Sequence, residues 1–231
     1  MIACESLSKV YATQRGEVRS LDRVDLKIQR NEFLTVRGAS GSGKTTLLLA
    51  LGGMLHPSSG RLWFNEVDLY QLSGQRRADF RARSIGFVFQ MFHLVPYLTA
   101  LENIMLANTG RNGASVRSRA LGLVEELGLQ ERCHHRPSEL SAGERQRTAM
   151  GRALLNQPEI LLADEPTGNL DPGNAEEVFR HLERFHQRGG TVVVVTHGQT
   201  ADRFSNRVIR LEKGRVVESG DGDGAGKDGQ G

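Results

Sequence analysis

Residues 38–45 read Gly38-Ala39-Ser40-Gly41-Ser42-Gly43-Lys44-Thr45 and fit G-x-x-x-x-G-K-[ST] at every fixed position. That spacing suits the wrapping of a polyphosphate. Backbone N–H groups must approach the phosphates closely and φ must be free, and glycine meets both needs. A helix that follows presents its positive dipole end to the same anion. Lys44 supplies a point charge for the β- and γ-phosphates, and the Thr45 hydroxyl is placed to bind Mg²⁺. The candidate nucleotide-binding set is therefore Gly38, Ser40, Gly41, Ser42, Gly43, Lys44, Thr45 and Thr46.

A second constellation lies far along the chain. Ile160-Leu161-Leu162-Ala163-Asp164-Glu165 is an apolar run that ends in two carboxylates. Acidic residues at the carboxyl end of a strand sit where open α/β sheets bind ligands. Asp164 suits Mg²⁺, directly or through water. Glu165 is placed to orient and deprotonate an attacking water, a role worth about 10²–10⁴-fold. His197 follows the apolar run Val192 to Val195 by one residue and reads either as a satisfied surface histidine or as a γ-phosphate contact. Gln90 follows the apolar segment Ile85 to Phe89 and is a candidate for Mg²⁺ or for the water, a reading it does not carry alone.

Around these groups the hydrophobic pattern predicts several strands and helices. Residues 33–37 predict a strand into the phosphate loop, and Thr45 to Gly52 a helix out of it. Residues 1–30 alternate modestly around a break at Thr13 to Gly16 and predict short strands. Residues 59–89 hold turn residues around short apolar runs. Helical spacing covers 99–135 and 143–156. The short runs Ile160 to Ala163 and Val192 to Val195 predict strands buried on both faces, as in a parallel sheet covered by helices. The last thirteen residues, from Ser219, hold six glycines, three aspartates and no large apolar side chain, and predict a disordered tail.

Composition narrows the class. The chain has 231 residues, with 38% hydrophobic and 25% charged residues and a formal net charge of +3. This is an ordinary globular composition, long enough for a sizeable core and only mildly basic. The longest near-apolar stretch, Leu47 to Leu55, is nine residues, against about 20 for a membrane span. The N-terminus lacks a basic region followed by an apolar core, and the two cysteines, Cys4 and Cys133, share no close spacing. A reduced, cytosolic compartment is expected. Arg76, Arg77, Arg81 and Arg83 read as a solvated helix face, since no aromatic platform beyond Phe80 accompanies them. Cys133-His134-His135 lacks a second ligand pair at zinc spacing.

One further motif decides the class. Leu140-Ser141-Ala142-Gly143-Glu144-Arg145-Gln146 resembles the signature of ABC-type ATPases. The resemblance covers about residues 5–218, with its parts in the family's order: Tyr11, the phosphate loop, Gln90, the signature, the strand ending in Asp164 and Glu165, the loop Gly168-Asn169-Leu170-Asp171, and His197. It implies an α/β fold: a P-loop NTPase core with a mostly parallel sheet, an N-terminal antiparallel β subdomain and an inserted α-helical subdomain. Core and β subdomain would occupy 1–90 and 158–218, the helical subdomain about 91–157, and the disordered tail 219–231. Lys44, Gln90, Glu165 and His197 would be catalytic, with Thr45, Gln90 and Asp164 holding Mg²⁺. The resemblance further implies ATP as the nucleotide and an ATP-dependent homodimer. In it Ser141 and Gly143 of one copy touch the γ-phosphate held by the other, and Asp171 lies in a loop crossing the interface. Tyr11 would stack on adenine; otherwise it is a core or edge-strand aromatic. Three departures stand out. Ala142 replaces a glycine, Gly198 follows the histidine where aspartate is common, and Asn31 stands where glycine is frequent before the first core strand. Asn tolerates left-handed φ, so little effect is expected there.

Ile85 to Gln90, Leu94-Val95-Pro96, Leu98 to Asn103 and the Gly168 to Asp171 loop resemble the lipoprotein-release, macrolide-export and cell-division branch. Members of that branch pair with separate or fused membrane proteins. The resemblance therefore implies an ATP-hydrolysing subunit, peripheral on the inner face of the cell membrane, that powers a separately encoded permease in export or mechanotransmission. The alternatives are an importer ATPase or a soluble ABC ATPase acting on nucleic acid or ribosomes. Direct nucleic-acid contact is not expected. The apolar stretch Met91 to Leu98 reads either as a dock for the permease or as a packed joint between lobes.

Overall fold

The computed structural model describes residues 1–14, 16–108, 110 and 113–221. Two sheets share one interior. The first is antiparallel. Strand β1 (Ile2–Thr13) pairs with β2 (Gly16–Ile28) on one side and with β4 (Ser59–Phe64) on the other, and β5 (Val67–Asp68) pairs with β4. The short strands expected over 1–30 are instead two long ones of 12 and 13 residues. Register shifts between Cys4 and Leu7 and again up to Val10 bend the pair, and such bulges let long strands twist with a curved sheet.

The second sheet carries the site. Its order is β10 (Arg215–Asp221), β9 (Arg207–Glu212), β3 (Phe33–Arg37), β8 (Thr191–Thr196), β7 (Ile160–Asp164) and β6 (Ile85–Phe89). All neighbours are parallel except β10 with β9. The period of two sends alternate side chains to opposite cores. Val193 and Val195 of β8, and Ile160 and Leu162 of β7, join a cluster with the antiparallel sheet and Leu47, Leu48 and Leu51. Val192, Val194, Leu161 and Ala163 join a second cluster with Leu101, Val124, Met150, Phe179 and Leu182. That is why these runs are apolar at every position.

Helix α1 (Lys44–Leu51) opens directly from the phosphate loop. Helix α2 (Gly74–Ser84) carries the four arginines and buries no residue, as a solvated face should. Two of them are nonetheless tied down: Arg77 donates to Leu72 O and Arg81 to Gly53 O, at 3.2 and 3.0 Å. The helical span expected over 99–135 is broken into α3 (Ala100–Met105), α4 (Gly113–Glu126) and a 3-10 turn at Gln130–Arg132. Thr99 and Glu102 form a reciprocal cap that fixes the start of α3. Within the stretch 91–98, Met91 and Tyr97 are exposed. Its backbone is pinned by the buried Asn103, which bonds both the N–H and the carbonyl of Val95. Helix α5 (Ala142–Leu154) follows Ser141, and α6 (Pro172–Gln187) follows Asp171. Asn31 adopts φ 53°, the left-handed conformation anticipated for it.

The expectation of disorder from Ser219 is corrected for its first three residues. Strand β10 extends to Asp221, because Ser219, Gly220 and Asp221 pair with Ile209, Val208 and Arg207 of β9. The rest of that expectation, residues 222–231, lies outside the described residues.

Candidate functional site

Parallel strands all point their carboxyl ends the same way, so the loops after β3, β7 and β8 meet at one edge of the sheet. There they form a cleft of about 570 Å³ lined by Ser40, Gly41, Lys44, Thr45, Gln90, Glu165 and His197 among others. The phosphate loop leaves β3 at Arg37 and enters α1 at Lys44. Gly43 sits at φ 104° with Ser20 O where a Cβ would stand 2.2 Å away, so no other residue fits that turn. Ser20, on β2, also shares a 2.7 Å hydrogen bond with the Thr46 hydroxyl. The antiparallel sheet thus braces the first turn of α1.

The Lys44 ammonium is buried and donates to Gly38 O at 2.7 Å and Ala39 O at 3.2 Å, and it lies 3.8 Å from Glu165 Oε1. The Thr45 hydroxyl donates to Asp164 Oδ1 at 3.1 Å. Burial pushes the Asp164 carboxyl above its usual range, and the Glu165 charge pushes the same way, against the Thr45 hydroxyl and Lys44. A half-desolvated carboxylate beside a hydroxyl is a pair of hard oxygen donors, which fits Mg²⁺.

Glu165 is the most constrained group. It holds φ 43°, unusual for a non-glycine residue and a conformation that surrounding structure must enforce. Its N–H donates to Val195 O at 2.9 Å. Oε1 lies 3.0 Å from His197 Nδ1, and Oε2 accepts from the Thr196 hydroxyl at 2.9 Å. Gln90 packs against Gly168, with Nε2 2.6 Å from where a Gly168 Cβ would be, and its backbone carbonyl accepts from Asn169 Nδ2 at 3.1 Å.

The remaining expected residues stand apart from the cleft. Tyr11 is exposed on β1, with the Lys9 ammonium 5.2 Å over its ring. Ser141 caps α5, accepting from Glu144 N at 3.2 Å while Glu144 Oε2 accepts from Ser141 N at 2.7 Å. Gly143 lies in the first turn of that helix, buried. Asp171 caps α6, accepting from Gly173 N and Asn174 N at 3.0 and 3.1 Å. Its carboxyl is held below the ordinary range, chiefly by the Asn174 side chain. Gly198 donates to Thr196 Oγ1 at 3.0 Å, and a Cβ there would meet only that hydroxyl, at 3.6 Å.

Three residues that shape the site carry no sequence signal, and a fourth, Gln146, stands in the sequence only as the last residue of the signature-like motif. Thr196 anchors Glu165. Gln146, fully buried on α5, donates to Pro166 O at 2.7 Å and so braces the loop after Glu165. Arg152 donates to Phe92 O and His93 O, both at 2.6 Å, just beyond Gln90. Asn174 bonds Asp171. Nothing in the local pattern around Thr196, Arg152 and Asn174 marks them, and the motif that contains Gln146 gives no sign of its bracing role.

The family model described as ABC transporter matches residues 21–168. A lipoprotein-releasing system ATP-binding protein LolD from Syntrophotalea carbinolica is 44% identical over 220 residues, covering 94% of this chain and 97% of its own. A macrolide export ATP-binding/permease protein MacB from Syntrophobacter fumaroxidans is 40% identical, covering 94% of this chain and 31% of its own. Among solved structures, the dimeric post-hydrolysis state of the ATP-binding cassette MJ0796 bound to ADP and Pi superposes with a TM-score of 0.91 at 36% identity, over 97% of this chain and all of that one. The fold, the cleft and these matches agree, and the chain belongs to the ABC transporter family.

Proposed function

We propose that this ATP-binding subunit of an exporter-type membrane transporter binds and hydrolyses ATP between two copies of itself, and that closure and opening of the pair drive a separate permease. The observation that carries the reading is the convergence of Lys44, Thr45, Asp164, Glu165 and His197 at one sheet edge from three strand ends. Gly38 through Thr46 wrap the phosphates, and Lys44 turns its ammonium from the Gly38 and Ala39 carbonyls onto them. Thr45, Asp164 and Gln90 hold Mg²⁺, which supplies charge for the developing transition state. Glu165 takes the proton of the attacking water, its carboxylate aimed by Thr196. His197 and Gln90 position the γ-phosphate and the water. Tyr11 stacks on adenine, from an exposed place on β1 that leaves its ring free on one side.

Ser141, Gly143 and Asp171 stand outside this cleft, at the opening turns of α5 and α6. That placement supports their use by a second copy, and the dimeric state of the MJ0796 cassette supports the same arrangement. The chain then divides into a core with its β subdomain, at 1–90 and 158 onward, and a helical subdomain at about 91–157. Among the described residues no helix is long and apolar enough to cross a membrane. The LolD relative is an ATP-binding protein matched over 97% of its length, which supports a permease carried on a separate polypeptide. This subunit then works against that permease on the inner face of the membrane. The exposed Met91 and Tyr97 suit the contact with it. The named relatives serve lipoprotein release and macrolide export, which favours export over import or a nucleic-acid or ribosomal role.

Equilibrium binding of a fluorescent ATP analogue tests the cleft. Lys44→Ala lowers affinity about 100-fold, the worth of a desolvated charged contact. Unchanged affinity would remove the phosphate-loop role.

A further inference from the structure

Gly143 is buried, and the place of its missing side chain is already filled. A Cβ there would stand 2.0 Å from Asn174 Oδ1 and 2.6 Å from Asn174 Cγ. Asn174 lies in the first turn of α6. Its Nδ2 donates to Asp171 Oδ2 at 2.5 Å, and its backbone N–H donates to Asp171 Oδ1 at 3.1 Å. Its Oδ1 accepts from Arg147 Nη1 at 3.4 Å, and the same Arg147 nitrogen donates to Glu177 Oε2 at 2.6 Å. Arg147 belongs to α5, while Asp171, Asn174 and Glu177 belong to α6 and its cap. One carboxamide therefore touches the signature turn, the α6 cap and the arginine that spans the two helices.

We propose that Asn174 is a positioning residue that locks the opening turn of α5 to that of α6, and that residue 143 is glycine because the Asn174 carboxamide occupies its side-chain space. The inference rests on the shared-site reading above and deepens it: Ser141, Gly143 and Asp171 reach the second copy as one rigid face, not as two independent loops. The competing explanation is that glycine at 143 serves only the close approach of the partner's phosphate.

The two explanations part in a double-mutant cycle with two readouts. The first is thermal unfolding of the nucleotide-free chain. Gly143→Ala lowers the midpoint by several degrees, because Asn174 must be displaced. Gly143→Ala with Asn174→Ala melts no lower than Asn174→Ala alone. Asn174→Gly, which also removes every atom beyond Cα, gives the same relief relative to its own single variant and guards against a folding defect peculiar to alanine. The second readout is the ATP concentration for half-maximal dimerisation in a Glu165→Gln background. Asn174→Ala raises it about threefold, Gly143→Ala about tenfold or more, and the pair matches Asn174→Ala alone. Additive losses in both readouts, or an Asn174→Ala variant that dimerises like its parent, would overturn the proposal. If the Glu165→Gln parent does not dimerise at all, the shared site falls, and the melting cycle alone decides whether Asn174 fills the glycine's place.

Discussion

The Thr196 hydroxyl donates to Glu165 Oε2 at 2.9 Å, and the hydroxyl oxygen itself accepts from Gly198 N at 3.0 Å. One hydroxyl at the end of β8 therefore fixes both the carboxylate after β7 and the loop that carries His197. With His197 Nδ1 on the other carboxylate oxygen, Glu165 has little rotational freedom, and its backbone is held at φ 43°. Positioning a base in advance lowers the cost of orienting it during reaction.

Thr196→Val keeps the shape of the side chain and removes the hydroxyl. A hydrogen bond to a charged group contributes about 1.5–3 kcal/mol, so kcat for phosphate release falls at least about tenfold. KM for ATP stays near that of the parent, since Thr196 is not in the phosphate loop. Steady-state phosphate release checks it; an unchanged kcat would deny Thr196 any part in aiming Glu165.

Arg152 holds the carbonyls of Phe92 and His93, two consecutive residues in left-handed conformation at φ 57° and 50°. Burial lowers its guanidinium pKa, a sign of the desolvation it bears in that place. Arg152→Met leaves both carbonyls without that partner and releases the turn beyond Gln90. The loss of about 2 kcal/mol lowers the melting temperature by about 4–8 °C. Lysine cannot reproduce the fork that serves two acceptors, so Arg152→Lys recovers less than half of the loss. A differential scanning calorimetry trace compares the three proteins; equal midpoints for the parent and the Arg152→Met variant would refute the clamp.

Much of the core was legible because chemistry and burial coincide there. The phosphate loop, β7 and β8 carry continuous signals: glycines where backbone must approach, and apolar residues at every position of strands covered on both faces. Helix α6 was missing from the sequence reading although Asp171 caps it, Pro172 opens it and Val178, Phe179 and Leu182 form its buried stripe. Asp171 belongs both to the interface-type loop and to the cap of this helix, and the two roles overlap in one residue. The break between α3 and α4 lacks a proline and went unseen. Thr196, Arg152 and Asn174 have nothing in their local spacing that marks them, and Gln146 closes the signature-like motif without showing what it braces, because these roles emerge only from the sheet order and the packing of α5 and α6.

Acid should loosen the cassette through several carboxylates held below their ordinary range. Glu144 is lowered chiefly by the Ser141 N–H, Glu102 by the Thr99 N–H, Asp22 by Arg215 and Asp171 by the Asn174 side chain. A folded-state pKa below the unfolded one gives stability that is present above the unfolded value and is lost as pH falls through the folded value. Burial also lowers the imidazole pKa of His181 and of His186, so the melting temperature already declines as pH falls through about 6.5, where unfolded histidines take up protons, and it falls further below about pH 4, where unfolded carboxylates titrate. Glu102→Gln with Glu144→Gln melts lower at neutral pH and shows a shallower acid limb. A melting series across pH that leaves the acid limb unchanged in the double variant would contradict this assignment.

On the proposed function, two copies close on ATP and hydrolysis at Glu165 opens them. Sedimentation velocity of the Glu165→Gln variant with ATP and Mg²⁺ tests it most directly. The expected result is a stable dimer with ATP, a monomer with ADP, and a monomer with ATP when Lys44→Ala is added. A Glu165→Gln chain that stays monomeric at saturating ATP while hydrolysing it at the parental rate would contradict it.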